Sequence, residues 1–96
     1  MDQKPQQLSD LPVTFSTLLL SLASSAVLAL GLEKNPHTDK YEKDLGVARF
    51  NIEMLKLLKD KTKNNLSSEE QQFLDNVISD LQLKFVYVTQ NQKENK

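Results

Sequence analysis

Residues 13–32, VTFSTLLLSLASSAVLALGL, form a stretch of the chain without a single charged side chain. On a helical wheel at about 100° per residue, the large apolar residues collect on an arc of roughly 200° and small hydroxyl residues collect on the rest. The apolar arc contains Phe15, Leu18, Leu19, Leu20, Leu22, Ala23, Ala26, Val27, Ala29 and Leu30. The pattern predicts a first helix over about residues 14–31, which begins at a Thr14 cap and ends near Gly31.

Two further helices are predicted where apolar residues recur at a spacing of three and four. The second, over residues 44–62, has Asp44 as its cap and an apolar face of Leu45, Ala48, Ile52 and Leu55. The third, over residues 67–89, begins at the capping sequence Ser67-Ser68-Glu69-Glu70. The link of residues 63–66 is so short that the two helices must form an antiparallel hairpin.

The ends of the chain are polar, so residues 1–12 and 90–96 are expected to be disordered tails around one helical domain of residues 13–89. A chain of 96 residues fits a single core. The predicted fold is all-α: an apolar first helix clamped by an antiparallel helical hairpin and completed by homodimerisation.

The hydroxyl side of the first helix lacks the Lys, Glu or Gln that a solvent-facing helix normally carries. Small side chains are typical where two backbones approach closely, which happens inside one subunit, between copies, or in a membrane. A bilayer span is disfavoured because residues 14–30 would reach about 25 Å across a core of about 30 Å. We favour contact between two copies around a two-fold axis, since two single-faced helices would leave this side in water. The predicted contact residues are Thr17, Ser21, Ser24, Ser25, Leu28 and Ala29.

Composition argues against catalysis. The chain has no cysteine and one histidine, His37, which lies in a polar loop, so no metal site and no nucleophile with a histidine base is predicted. Glu69 and Glu70 belong to a helix cap rather than to an acid–base pair. The sequence therefore predicts no enzyme activity and no cofactor.

The charge pattern argues against nucleic acid as a partner. The net charge is −1, without the basic excess that phosphate binding requires. The four lysines within residues 56–63 lie at the carboxyl end of the second helix, where they complement its dipole. Nucleic-acid binding is therefore not expected.

Three stretches together resemble a family of short bacterial proteins described only as a domain of unknown function: FSTLLLSLASSAVLALG, NPHTDK and KTKNNLSSEEQQFLDNVISDLQLKFV. The resemblance covers about residues 13–86. The chain departs from the family pattern at Asp39 and Asn64, where the pattern has glycine, and at Gln82, where it has arginine. The resemblance implies a bacterial source and a cytoplasmic location, and it carries over no catalytic or binding residue.

We therefore expect a small, self-associating protein–protein interaction module. Two alternatives stay open. One is a membrane-associated or single-pass protein anchored by residues 13–32, and the other is a carrier of a small ligand in the hydroxyl-lined groove.

Overall fold

A computed structural model describes residues 10–94, and within them three α-helices pack against one another. The helices are α1 (Phe15–Ala29), α2 (Leu45–Lys61) and α3 (Ser68–Glu94). Over the same residues the only β-type pairing is an isolated bridge between Asn35 and Lys40. The predicted all-α fold of three helices is confirmed. The expected N-terminal tail falls mainly on residues 1–9, which lie outside the described part of the chain.

The ends of α1 follow from its own sequence. The Thr14 side chain accepts a hydrogen bond from the Thr17 N–H at 3.1 Å, which caps the first turn. At the other end Gly31 has a φ of 79°. Its N–H donates to the Leu28 carbonyl, and the next N–H along the chain donates to the Val27 carbonyl. This is the Schellman arrangement, in which glycine is favoured because it adopts positive φ without steric cost.

The starts of α2 and α3 confirm their predicted caps. Asp44 Oδ1 accepts from the Val47 N–H at 3.2 Å. Ser67 Oγ accepts from the Glu70 N–H at 3.1 Å, and Glu70 Oε1 accepts from the Ser67 N–H at 3.0 Å, which completes a capping box.

Helix α3 continues to Glu94, beyond the end expected near residue 89. Residues 90–94 are therefore helical, contrary to the expectation of a disordered segment from residue 90; residues 95 and 96 lie outside the described part. The sequence QNQKE contains no Pro or Gly to stop the helix, and Gln, Lys and Glu have good helix propensity.

The helices alternate in direction, as contacts along their lengths show. Near the end of α2, Lys59 Nζ lies 2.8 Å from Asp75 Oδ1 early in α3. Near the start of α2, the Arg49 guanidinium lies 5.5 Å from the centre of the Phe85 ring, late in α3. The antiparallel hairpin of α2 and α3 is thus present. The largest fully buried side chains are Leu19, Leu30, Leu55, Leu74 and Leu81, which come from the α1 region, α2 and α3.

Two turns use left-handed backbone without glycine. Asp39 has a φ of 60° and Asn64 a φ of 68°. These are the two positions at which the sequence differs from the glycines of the family pattern. Asp and Asn tolerate this conformation better than other residues with a Cβ, because their short side chains hydrogen-bond locally. Both residues are therefore compatible with the left-handed backbone of their turns.

Candidate protein interaction surface

The outward side of α1 combines accessibility with a complete lack of charge. Helix α1 contains no ionisable residue over its 15 residues. Five of the predicted contact residues remain exposed or half-buried in the subunit: Thr17, Ser21, Ser24, Ser25 and Leu28. This surface offers hydroxyl and methyl groups for packing and hydrogen bonding, but no group that can act as an acid or base.

Ser25 and Ala29 also face α2 within the same subunit. The Asn51 side-chain amide donates to Ser25 Oγ at 3.3 Å and to the Val47 carbonyl at 3.1 Å. Ala29 is buried in a small core cluster with Ala48. Small residues at these positions let α1 approach α2 closely, which is the interpretation we had disfavoured for the hydroxyl side. Ala29 is therefore assigned to the core, and Ser25 serves the α1–α2 contact.

The loop after α1 forms one wall of a groove along the hydroxyl side. The groove has a volume of about 550 Å³ and is open to solvent. It is lined by Ser21, Ser24, Ser25, Leu28, Glu33, Lys34 and Pro36. Four of the predicted contact residues thus lie together in one concave surface.

Asn35 holds this loop in a fixed shape. Its N–H donates to the Lys40 carbonyl at 2.8 Å, and its side-chain amide donates to Glu42 Oε1 at 3.0 Å. Its side-chain carbonyl accepts from the His37 N–H at 2.9 Å. The His37 residue itself is exposed. The hydrogen bonds of Asn35 account for the shape of the loop, and His37 takes part through its main-chain N–H.

A second accessible apolar feature lies on α2 and was missed by the sequence analysis. We call it the α2 stripe: Val47, Phe50, Met54 and Leu57. Val47, Phe50 and Leu57 are 43%, 62% and 49% exposed, and Met54 is half-buried. Their spacing of three, four and three residues is a second apolar period on the same helix as the buried face. The spacing is visible in the sequence, but the neighbouring apolar face of Leu45, Ala48, Ile52 and Leu55 hides it, because the two faces adjoin on the helical wheel.

The α2 stripe and the hydroxyl side of α1 form one continuous surface. Ser25, Leu28 and Val47 line a shared depression. One turn further along α2, the hydrogen bond from Asn51 to Ser25 joins the two helices. The depression is also lined by the charged residues Glu42, Lys43 and Asp44, which lie before α2 and border the surface at that end. Neither α1 nor the α2 stripe contains a charged residue, so the helical part of the surface is uncharged and two helices wide. We call it the α1–α2 face.

The charged residues of α2 lie mainly on the other side, toward α3. Lys59 pairs with Asp75, and its hydrogen bond and charge hold the pKa of Asp75 below the ordinary value of 3.8, against a smaller opposing effect of desolvation. Lys56 Nζ lies 3.4 Å from Glu53 Oε2 on α2 itself. Two lysines of the run at residues 56–63 thus have carboxylate partners within the subunit.

A metal site and a membrane-spanning helix can each be checked against residues 10–94. They contain no group of three or more His, Asp or Glu residues placed to hold a metal ion. No helix within the described range combines the length and the apolar character needed to cross a bilayer. A smaller cavity of about 270 Å³ between α2 and α3 is lined by Arg49, Ile52, Glu53, Gln82, Phe85 and Val86.

Comparison with known proteins agrees with the resemblance seen in the sequence. Residues 12–87 match the family described as a domain of unknown function, DUF1844. Neither a curated protein nor a solved structure matches the chain. The match spans the end of the N-terminal segment, all of α1 and α2, and most of α3. The chain therefore belongs to the DUF1844 family.

Proposed function

We propose that this protein is a small bacterial, cytoplasmic interaction module that acts without catalysis and binds a second copy of itself through the α1–α2 face. One observation carries the proposal: the face is uncharged across two helices although much of it is accessible in the subunit. Solvent-facing helices normally carry long charged or amide side chains. Their absence here favours a surface that is covered in the working protein.

The chemistry of the face suits self-association. Pairing like surfaces around a two-fold axis buries apolar groups without burying an unpaired charge, because the residues of α1 and of the α2 stripe are all uncharged. The exposed hydroxyls of Ser24 and Ser25 can hydrogen-bond across the contact or to bridging water, so their burial need not leave them unsatisfied. Their small size also allows a close approach of the two α1 helices.

A carrier of a small uncharged ligand is the second candidate. The groove beside Ser21 and Leu28 has a volume of about 550 Å³, within the usual range for ligand sites of about 300–1,000 Å³. It is open in the isolated subunit. Dimerisation through α1 would cover the groove, whereas a ligand carrier needs the groove to stay open.

Sedimentation velocity on the full chain at micromolar concentration tests the first candidate. We expect a dimer, and we expect Ser24→Glu to shift it to a monomer because it places a charge within the contact. Ser24 is exposed in the subunit, so the variant should keep its helical circular dichroism spectrum. Ser79→Glu, which makes the same change at an exposed position on α3, is the matched control.

A monomer in the unmodified protein would overturn the proposal, and so would a dimer that Ser24→Glu leaves intact. Native mass spectrometry of the same preparation separates the two candidates. A dimer mass without added ligand supports self-association. A monomer with a reproducible bound small molecule, lost in a Leu28→Lys variant, supports the carrier.

A further inference from the structure

Resting on the proposed self-association, we infer that the α2 stripe is the seam of the dimer, packed antiparallel against the same stripe of a second copy. The hydroxyl sides of the two α1 helices then flank this seam. The inference assigns the main apolar contact to α2, whereas the sequence had pointed only to α1.

The spacing of the stripe indicates that a helix covers it. Val47, Phe50, Met54 and Leu57 repeat the alternation of three and four residues by which two helices interlock side chains along a common line. A continuation by four residues reaches Lys61, which is exposed and ends the apolar run. The stripe is therefore about three turns long, which matches a contact with one helix of similar length.

The accessible area suits a second copy. Val47, Phe50 and Leu57, which are 43%, 62% and 49% exposed, together present roughly 300 Å². This is a little under half of the area of about 800 Å² that each partner contributes to a standard interface, and Met54, Leu28 and the hydroxyl residues of α1 add to it. The stripe thus supplies the apolar centre of a dimer interface, and the hydroxyl side of α1 supplies its border.

The charges at the ends of α2 select the antiparallel direction. Lys59 and Lys61 lie in the last turn of the helix, and Asp44 caps its first turn. A parallel pair would bring the basic ends of both copies together. An antiparallel pair instead places Lys61 near the start of the partner's α2, where the carboxylates of Glu42 and Asp44 outnumber the one cation, Lys43. It also sets the two helix dipoles in opposite directions, which is favourable.

Cysteine cross-linking tests the geometry, because the chain has no cysteine of its own. Antiparallel pairing centred between Phe50 and Met54 places Met54 of one copy level with Phe50 of the other, and Val47 level with Leu57. We therefore expect Met54→Cys, mixed with an equal amount of Phe50→Cys, to form a disulfide-linked dimer under mild oxidation. Leu57→Cys should not cross-link with itself but should do so in an equal mixture with Val47→Cys. Leu83→Cys, at an exposed apolar position on α3, is the control and should stay uncross-linked.

A charge on the seam provides the second test. Phe50 is 62% exposed in the subunit, so Phe50→Glu should fold, yet it should weaken the dimer by more than about 100-fold in sedimentation equilibrium. Leu83→Glu should leave the dimer unchanged. Two outcomes with a dimeric unmodified protein would overturn the inference and leave the proposed function standing. One is a dimer that Phe50→Glu does not weaken, and the other is self-cross-linking of both Val47→Cys and Leu57→Cys. If the unmodified protein is monomeric, the inference and the proposed function both fail.

Discussion

The substitution Asn51→Asp removes a hydrogen-bond donor from between α1 and α2 with almost no change in the size of the side chain. The Asn51 amide donates to Ser25 Oγ at 3.3 Å and to the Val47 carbonyl at 3.1 Å, and the residue is only 7% exposed. An ionised carboxyl group has no proton to donate. It would also place its negative charge beside the carbonyl oxygen of Val47.

The expected loss of stability follows from these contacts. Each hydrogen bond contributes about 0.5–1.5 kcal/mol net, and a buried charge that lacks a donor adds a desolvation cost. The Ser25 hydroxyl can rotate to donate to the new carboxylate, which offsets part of that cost. We therefore expect Asn51→Asp to lower the free energy of unfolding by about 2–4 kcal/mol at neutral pH.

The loss should depend on pH in a defined direction. The same penalty raises the pKa of the introduced carboxyl group in the folded protein above its value of about 3.9 in the unfolded chain. The penalty is then complete above the folded pKa. It disappears as the pH falls toward the unfolded pKa, because the protonated carboxyl group again donates a hydrogen bond.

Urea denaturation followed by circular dichroism at neutral pH and at about pH 4 measures both effects, with the unmodified protein compared at each pH and at the same concentration. Asn76→Asp is the control, since Asn76 is exposed on α3. If Asn51→Asp lowers the free energy of unfolding by less than about 0.5 kcal/mol at neutral pH, the reasoning is refuted, because a change of that size is expected for a substitution at an ordinary surface position. An equal loss at both pH values would also refute it.

Two further predictions concern the glycines and the paired acid. Gly31→Ala should lower the free energy of unfolding by about 1–2 kcal/mol, because Gly31 has a φ of 79° and the new Cβ would lie 3.3 Å from the Lys43 Cβ. Gly46→Ala, in the first turn of α2, should raise the free energy of unfolding by about 0.5 kcal/mol. Thermal denaturation of both variants measures the two changes, and changes of the same sign would contradict the prediction. The lowered pKa of Asp75 means that the pairing with Lys59 stabilises the fold above the ordinary value of 3.8 and that this contribution is lost as the pH falls through the lower, folded pKa. Asp75→Asn should therefore flatten the acid limb of the stability curve below that value, and an unchanged acid limb would show that the pair has no part in it.

Much of the local structure was determined by the sequence alone. The caps at Thr14, Asp44 and Ser67 and the end of α1 at Gly31 all depend on residues within a few positions of one another. Such short-range hydrogen bonds and backbone preferences form in much the same way whatever the rest of the chain does. For the same reason the helical fold and the antiparallel hairpin could be predicted.

The end of α3 was predicted less well. The apolar period fades after Val88, the last buried residue among the positions up to 90 whose side chains the structure describes, so the pattern suggested an end near residue 89. The helix continues to Glu94 because the following residues favour helix without needing burial. Periodicity reports which part of a helix is covered, not how far the helix extends.

Only the tertiary structure decided how the faces of α1 and α2 are used. The sequence showed that the hydroxyl side of α1 needs a close neighbour, but it could not show that Ser25 and Ala29 meet α2 of the same subunit. The buried face of α2 was predicted from the sequence and is confirmed at Ala48, Ile52 and Leu55. The sequence did not show that the adjoining α2 stripe would stay accessible beside the hydroxyl side of α1. That accessibility depends on the angle at which one helix rests on another, and the angle is fixed by side-chain packing between residues far apart in the chain.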